Sequence, residues 1–126
     1  MILLVDAHAL LWALSAGTSP LSRAGRAALE DPQNDVLVSA ATVWEIAIKE
    51  AAGRLDAPNE LLETIEATLF DVLPISGADA IAAARLPRIH ADPFDRMVIA
   101  QAQRLDAVVV TRDRAFADYD VKVLTA

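Results

Sequence analysis

The chain contains no cysteine. That excludes disulfide staples, thiolate zinc sites and cysteine nucleophiles together, and it fits a reducing compartment. Aromatic residues make up only 5% of the sequence, too few to stack a run of bases in series. Lysine occurs only at Lys49 and Lys122, and the formal net charge is -7 with a pI near 4.6. A balance of that sign does not hold nucleic acid by bulk electrostatics, so any nucleic-acid role must rest on metal ions and a local basic rim. Positive charge is carried mostly by arginine, whose planar fork suits phosphate, although an arginine-rich codon bias gives the same excess. There is no glycine-rich phosphate loop and no G-x-S-x-G elbow, which removes P-loop and serine-hydrolase chemistry. No apolar run approaches the roughly 20 residues that span a bilayer, and the start lacks a basic segment followed by a cleavage site. A soluble, cytoplasmic protein is therefore expected.

What the sequence does contain is a strongly apolar 126 residues, 55% hydrophobic with a mean hydropathy of +0.35. That length is a prior for one domain spanning 1–126, and the composition excludes a disordered chain. Short apolar runs alternate with longer alanine-rich helical patterns. The runs are Ile2–Val5, Val36–Val38, Val72–Ile75, Val108–Val110 and Val121–Leu124. Most of them are too continuous for strands with one wet face and predict strands buried on both faces. Helices are predicted over Ala7–Leu14, Leu21–Glu30, Ala40–Ala52, Asn59–Phe70, Ala78–Leu86 and Pro93–Leu105. Ser39 stands where an N-cap belongs, Gly53 where a helix should end, and Asp92-Pro93 reads as an N-cap followed by proline at N1. Gly17–Pro20, Asp31–Asp35 and Arg54–Pro58 read as surface connections. Alternation of this kind predicts an α/β domain with a mainly parallel sheet.

Four acids stand at the edges of these apolar segments or inside them. Asp6 closes Ile2-Leu3-Leu4-Val5, and Asp113 follows Val108-Val109-Val110-Thr111. Glu45 interrupts Val43-Trp44-Glu45-Ile46-Ala47-Ile48, and Asp95 opens Phe94-Asp95-Arg96-Met97-Val98-Ile99-Ala100. Carboxylates are costly to bury without compensation, and the usual compensator for a cluster of them is a hard divalent cation. Ligands of open parallel sheets bind beyond the carboxyl ends of the strands, where all four acids can meet.

Each acid also has a purely structural explanation. Asp6 suits the cap of the helix that follows. Asp95 at N3 suits a capping box with Asp92, Glu45 an i,i+4 pair with Lys49, and Asp113 a turn. The four taken together favour a shared pocket. His8 and His90 show no metal-ligand spacing and read as packing or loop residues. Ser39 and Thr111 end strands near the expected pocket, where either hydroxyl suits a carboxylate or a metal-bound water. Trp12 and Trp44 read as core or interface residues.

The segment Leu3-Leu4-Val5-Asp6-Ala7-His8-Ala9-Leu10-Leu11-Trp12 resembles the opening of PIN-domain proteins. Val38 to Lys49 resembles their second motif, His90 to Ala102 their third, and Thr111-Arg112-Asp113 with Phe116, Tyr119 and Val121 their last. The motifs occur in family order across the whole chain, and the subgroup they resemble is the VapC toxins of toxin–antitoxin pairs. The resemblance implies a parallel sheet of four or five strands sandwiched by helices, and an Mg²⁺- or Mn²⁺-dependent endoribonuclease. Asp6, Glu45, Asp95 and Asp113 fall on the matching acid positions, and Ser39 and Thr111 on small hydroxyl positions near the metal. Of the neighbours Asp92 and Asp95, the second is taken as the site acid, because Asp92 is better placed as the N-cap.

Metal-activated water attacking phosphorus needs no ribose 2′-hydroxyl, so 5′-phosphate and 3′-hydroxyl ends are expected. Lys49, Arg96 and Arg112 lie close enough in sequence to the acids to be phosphate contacts. The expected partners are RNA, a VapB-like antitoxin whose basic residue enters the acidic pocket, and a second copy of the chain meeting it through Leu11 and Trp12. Three alternatives remain: an RNA-processing PIN nuclease that is not a toxin, a PIN fold kept as a binding module, and a receiver-like signalling domain with an acidic Mg²⁺ pocket. The last needs a phospho-accepting Asp at the end of a middle strand and a lysine near the last strand. Val72-Leu73-Pro74-Ile75 ends in Ser76-Gly77 without an Asp.

Overall fold

A computed structural model describes residues 1–15 and 19–126. The expected connection Gly17–Pro20 lies partly outside those residues. Five strands, β1 (Ile2–Val5), β2 (Asp35–Ser39), β3 (Asp71–Leu73), β4 (Val108–Thr111) and β5 (Lys122–Thr125), form one sheet in the order β3-β2-β1-β4-β5. Every pairing is parallel, with Leu4 opposite Leu37 on one side and Val109 on the other. The helices are α1 (Ala7–Leu14), α2 (Arg23–Glu30), α3 (Ala40–Ala51), α4 (Leu61–Ala67), α5 (Gly77–Ala84) and α6 (Pro93–Leu105), with a 3-10 turn over Arg114–Asp118. The predicted α/β architecture is the observed one.

Alternation along the central strands divides the core in two. Leu3, Val5 and Val110 pack with Leu10, Leu29, Ile46 and Ile65, from α1 to α4. Leu4 and Val109 face the other way, onto Ala83 of α5, Val98 and Ile99 of α6, and Phe116. The chain winds from β1 out to β3, then crosses to start β4 on the far side of β1. Strand order therefore reverses between β1 and β4, the crevice at which open α/β sheets bind ligands.

Local chemistry explains where element boundaries differ from expectation. Helix α2 starts at Arg23 rather than Leu21, because the Ser22 hydroxyl accepts the Gly25 N–H at 2.9 Å and caps it there. Strand β3 stops at Leu73, since Pro74 has no N–H to continue the ladder. Helix α4 is only Leu61–Ala67: Glu60 makes no side-chain cap, and beyond its C-cap Leu69 takes a left-handed φ of 67°. Only β1, β2 and β4 have neighbours on both sides; the Val121–Leu124 run that looked doubly buried becomes the mostly exposed edge strand β5. Among the described residues no helix is long and apolar enough to cross a membrane.

Helices α5 and α6 are locked by Asp79, which is buried in the first turn of α5 and completes a capping box with Ser76. Arg104 donates Nε to Asp79 Oδ1 at 2.7 Å and lowers that carboxyl to about 2. Gln101 adds a donor at 3.1 Å. The loop joining these two helices runs up to the site.

Candidate metal centre

Asp6 ends β1 and caps α1, so one residue is both a strand terminus and a helix start. Its Oδ1 accepts the Ala9 N–H at 2.9 Å, and its Oδ2 accepts the Thr111 hydroxyl from the adjacent β4. Thr111 Oγ1 also accepts the Asp113 N–H at 3.0 Å, tying the turn after β4 to the end of β1. Burial raises the Asp6 pKa, against the lowering pull of Thr111, Ala9 and the charge of His8; the neighbouring Glu45 charge raises it further. The helix-cap explanation and the shared-pocket explanation therefore both describe Asp6.

Ser39 is fully buried and accepts the Ala41 N–H at 3.1 Å, starting α3 at the end of β2. That helix delivers Glu45, 6% exposed, whose carboxylate accepts Lys49 Nζ at 2.7 Å. The expected i,i+4 pair is formed, and it is formed by a buried acid whose charge acts on both Asp6 and Asp95. Asp92 caps α6, accepting Phe94 and Asp95 N–H groups at 2.8 and 3.2 Å. Asp95 does not return a capping-box bond to Asp92; its Oδ2 meets His90 Nε2 at 2.8 Å. Burial, then the Asp92 and Glu45 charges, push Asp95 up to about 7, with His90 opposing. Asp113 accepts the Ala115 N–H at 2.9 Å through Oδ1, while Oδ2 lies 3.7 Å from His90 Nε2.

Among the described residues His90, Asp95 and Asp113 each offer a donor atom within 4.8 Å of the others. Asp6 and Glu45 lie outside that tight group; the Glu45 charge acts on Asp95 within it and on Asp6 beside it. The donor set fits a divalent cation: carboxylate oxygens with one imidazole nitrogen, partly desolvated, and Asp6 and Asp95 are pushed toward protonation first by burial and then by neighbouring negative charge. His90, read from sequence as a loop residue, stands inside the site. Motif spacing missed it because its companions come from α6 and from the turn after β4. The available signal was its place five residues before Asp95, in the loop feeding the acid-bearing helix.

Two expected phosphate contacts have other tasks. Arg96 donates to the carbonyls of Ala83 (2.9 Å), Leu86 (2.9 Å), Pro87 (3.0 Å) and His90 (3.1 Å). It thus caps the C-terminus of α5 and folds the loop that carries His90. Arg112 donates to the Ala126 carbonyl at 2.6 and 3.1 Å and to Pro20, with its guanidinium 4.4 Å above the Trp12 ring. Trp12 and Leu11 are half-buried and both line an open groove. Trp44 is the exposed tryptophan, at 62%, edge-on to Phe94 with ring centroids 5.3 Å apart. Removing the Arg96 fork by Arg96→Ala strands several carbonyls and is expected to cost about 3 kcal/mol in urea unfolding. Arg96→Lys should recover little of it, because a point charge cannot replace a planar fork. A loss below about 0.5 kcal/mol would return Arg96 to the substrate-contact role.

The receiver-like alternative fails on position. Lys122 opens β5 at the opposite end of the sheet and reaches Asp106 at 3.4 Å. No curated protein matches the sequence. Solved structures of similar architecture include VapBC2 from Rickettsia felis bound to a promoter DNA fragment, with 12% identity, a TM-score of 0.72 and 98% of each chain covered. FitAcB from Neisseria gonorrhoeae is 26% identical with a TM-score of 0.66, over 99% of this chain and 97% of that one. A toxin–antitoxin complex from Klebsiella pneumoniae is 24% identical with a TM-score of 0.65, over 97% and 95%. The sequence profile of the PIN domain matches residues 3–122, nearly the full length, and the chain belongs to the PIN-domain family.

Proposed function

We propose that this PIN domain is a divalent-metal-dependent endoribonuclease and the toxin of a VapBC-type toxin–antitoxin pair. The observation that supports the reading is the grouping of Asp95 and Asp113 with His90, together with a Glu45 charge felt by both Asp95 and Asp6, beside the switch point between β1 and β4. Family membership supports nuclease chemistry, and the toxin–antitoxin complexes among its structural relatives support the pairing. Asp6, Glu45, Asp95 and Asp113 would hold Mg²⁺ or Mn²⁺. When bound, such an ion lowers the pKa of a coordinated water and offsets charge on the attacked phosphate.

The chain's own groups do the rest. Thr111 fixes the Asp6 carboxylate, and Ser39 fixes the start of the helix that delivers Glu45. Lys49, held by Glu45 at the rim, is the phosphate contact retained from the sequence. Arg88, exposed beside a cavity of about 330 Å³ that it shares with His90 and Arg96, takes the place of Arg96 and Arg112. RNA as substrate implies a cytoplasmic protein.

The test is incubation of the purified chain with RNA in Mg²⁺ or Mn²⁺, followed by analysis of the ends. Cleavage should stop on chelation and leave 5′-phosphate and 3′-hydroxyl termini. Cleavage that persists in chelator, or that leaves 2′,3′-cyclic phosphates, would sink the reading.

Assembly as a homodimer is part of the proposal, through a surface other than Leu11 and Trp12. Trp44, Ala47, Ile48 and Ala51 lie at i, i+3, i+4 and i+7 of α3, and all four are exposed. Under two-fold symmetry this stripe is self-complementary, with the bulky Trp44 and Ile48 of one copy opposite the small Ala47 and Ala51 of the other. Light scattering should give a dimer at micromolar concentration and a monomer for Ile48→Glu. A wild-type monomer throughout that range would count against it.

A further inference from the structure

His90 sits at the end of a loop in which both its backbone N–H and its carbonyl are hydrogen-bonded. Its N–H donates to the Tyr119 hydroxyl at 2.7 Å, and its carbonyl accepts from Arg96 Nη1 at 3.1 Å. The same hydroxyl accepts the Ile89 N–H at 3.3 Å and donates to the Pro87 carbonyl at 2.8 Å. The imidazole stands edge-on to the buried Phe116, with centroids 6.4 Å apart and planes at 83°. Backbone and ring are thus both fixed. The atom they aim is Nε2, at 2.8 Å from Asp95 Oδ2 and 3.7 Å from Asp113 Oδ2. A histidine that merely oriented Asp95 would need one carboxylate within reach, whereas this one faces two from different elements.

We propose that His90 is itself a metal ligand alongside Asp95 and Asp113, and that its nitrogen biases the centre toward Mn²⁺ over Mg²⁺. The inference rests on the reading of the acidic edge as a divalent-metal site. Donors about 2.1 Å from one ion stand about 3–4 Å from each other, a span that fits three groups already within 4.8 Å. Mg²⁺ is a hard ion that keeps oxygen and water around it, whereas Mn²⁺ stands at the start of the first-row series along which affinity for nitrogen donors rises. Arg96 and Tyr119 are then positioning residues, acting on the ion only through His90.

The experiment is titration of the whole chain with Mn²⁺ alone and with Mg²⁺ alone, without RNA, together with pulsed electron paramagnetic resonance of the Mn²⁺ form. The protein has only two histidines, so His8→Asn leaves His90 as the sole imidazole. That variant should show coupling of bound Mn²⁺ to a directly ligated ¹⁴N. His90→Gln should lose the coupling and bind Mn²⁺ about 10–100-fold more weakly, while its Mg²⁺ affinity falls by less than about threefold. Tyr119→Phe should keep the coupling and weaken Mn²⁺ binding. Unfolding in chelator verifies that each variant folds, and the coupling in His8→Asn stands as a result even where His90→Gln does not fold. Mn²⁺ bound without nitrogen coupling in His8→Asn, or coupling retained in His90→Gln, overturns the assignment and leaves the nuclease reading standing. Nitrogen-coupled Mn²⁺ in a chain that cleaves no RNA overturns the nuclease reading and leaves His90 a ligand.

Discussion

Asp95→Asn should remove metal-dependent RNA cleavage by about a thousandfold or more and, in chelator, make the protein more stable than wild type at pH 8. The two effects have one cause. Asp95 is half-buried beside Asp92 and Glu45, and its pKa is pushed up to about 7, well above the usual carboxylate value of about 4. A carboxyl whose folded pKa is raised binds its proton more tightly in the native state than in the unfolded one. Native stability therefore carries no penalty below about pH 4, declines as pH rises between about 4 and 7, and bears the full penalty above 7. A shift of that size corresponds to at most about 4 kcal/mol, and solvent screening at a site still open on one side brings the expected gain to about 2 kcal/mol. Asparagine keeps the shape without the charge. Urea unfolding in chelator at pH 8 and at pH 4.5 should show the gain at the higher pH and most of it gone at the lower. Adding Mn²⁺ should reverse the order, because only wild type then holds the ion at full strength. Asp6→Asn, Glu45→Gln and Asp113→Asn should likewise lose cleavage. Full activity in any two of the four would sink the assignment of these acids, and a large loss of stability in chelator would mean that capping was their task.

Much of this arrangement was legible in the sequence. The runs leading to Asp6 and Asp113 are the central strands β1 and β4, whose continuous apolar composition marks them as strands. Helices α1 and α6 were legible to the residue, because Asp6 and Asp92-Pro93 are strong starts and their apolar patterns are long. What sequence does not carry is which strands lie at the edge. Val121-Lys122-Val123-Leu124 has the composition of a buried strand, and only the order of the sheet exposes it. The same gap explains the misassigned cations. Arg96 and Arg112 stand beside site acids along the chain, but a guanidinium reaches several ångströms and here turns back to backbone carbonyls at a helix end and at Ala126. His90 shares a short segment with Asp95, but Asp113 comes from the turn after β4, and only folding brings that second carboxylate to it.

The inhibitor expected for a toxic ribonuclease follows from the same electrostatics. Asp6 and Asp95 have pKa values raised first by burial and then by neighbouring carboxylate charge, and the chain as a whole carries -7. An arginine or lysine inserted among Asp6, Glu45, Asp95 and Asp113 would satisfy them in place of metal and block phosphate entry. A groove of about 500 Å³ is lined by His8, Leu11 and Trp12 of α1 and by Leu55 and Pro58, and His8 stands two residues along the chain from Asp6. A flexible antitoxin segment lying in this groove would gain affinity from apolar burial and place its cation at the acids. The two contributions then separate on mutation. Changing that one basic residue to Ala should restore cleavage by about a hundredfold while the dissociation constant rises by less than about tenfold. The wild-type complex should also lose inhibition faster with added salt than the Ala complex does. Relief of inhibition only when the complex itself falls apart would mean that the segment covers the site sterically, and so would inhibition that survives loss of every basic residue in it.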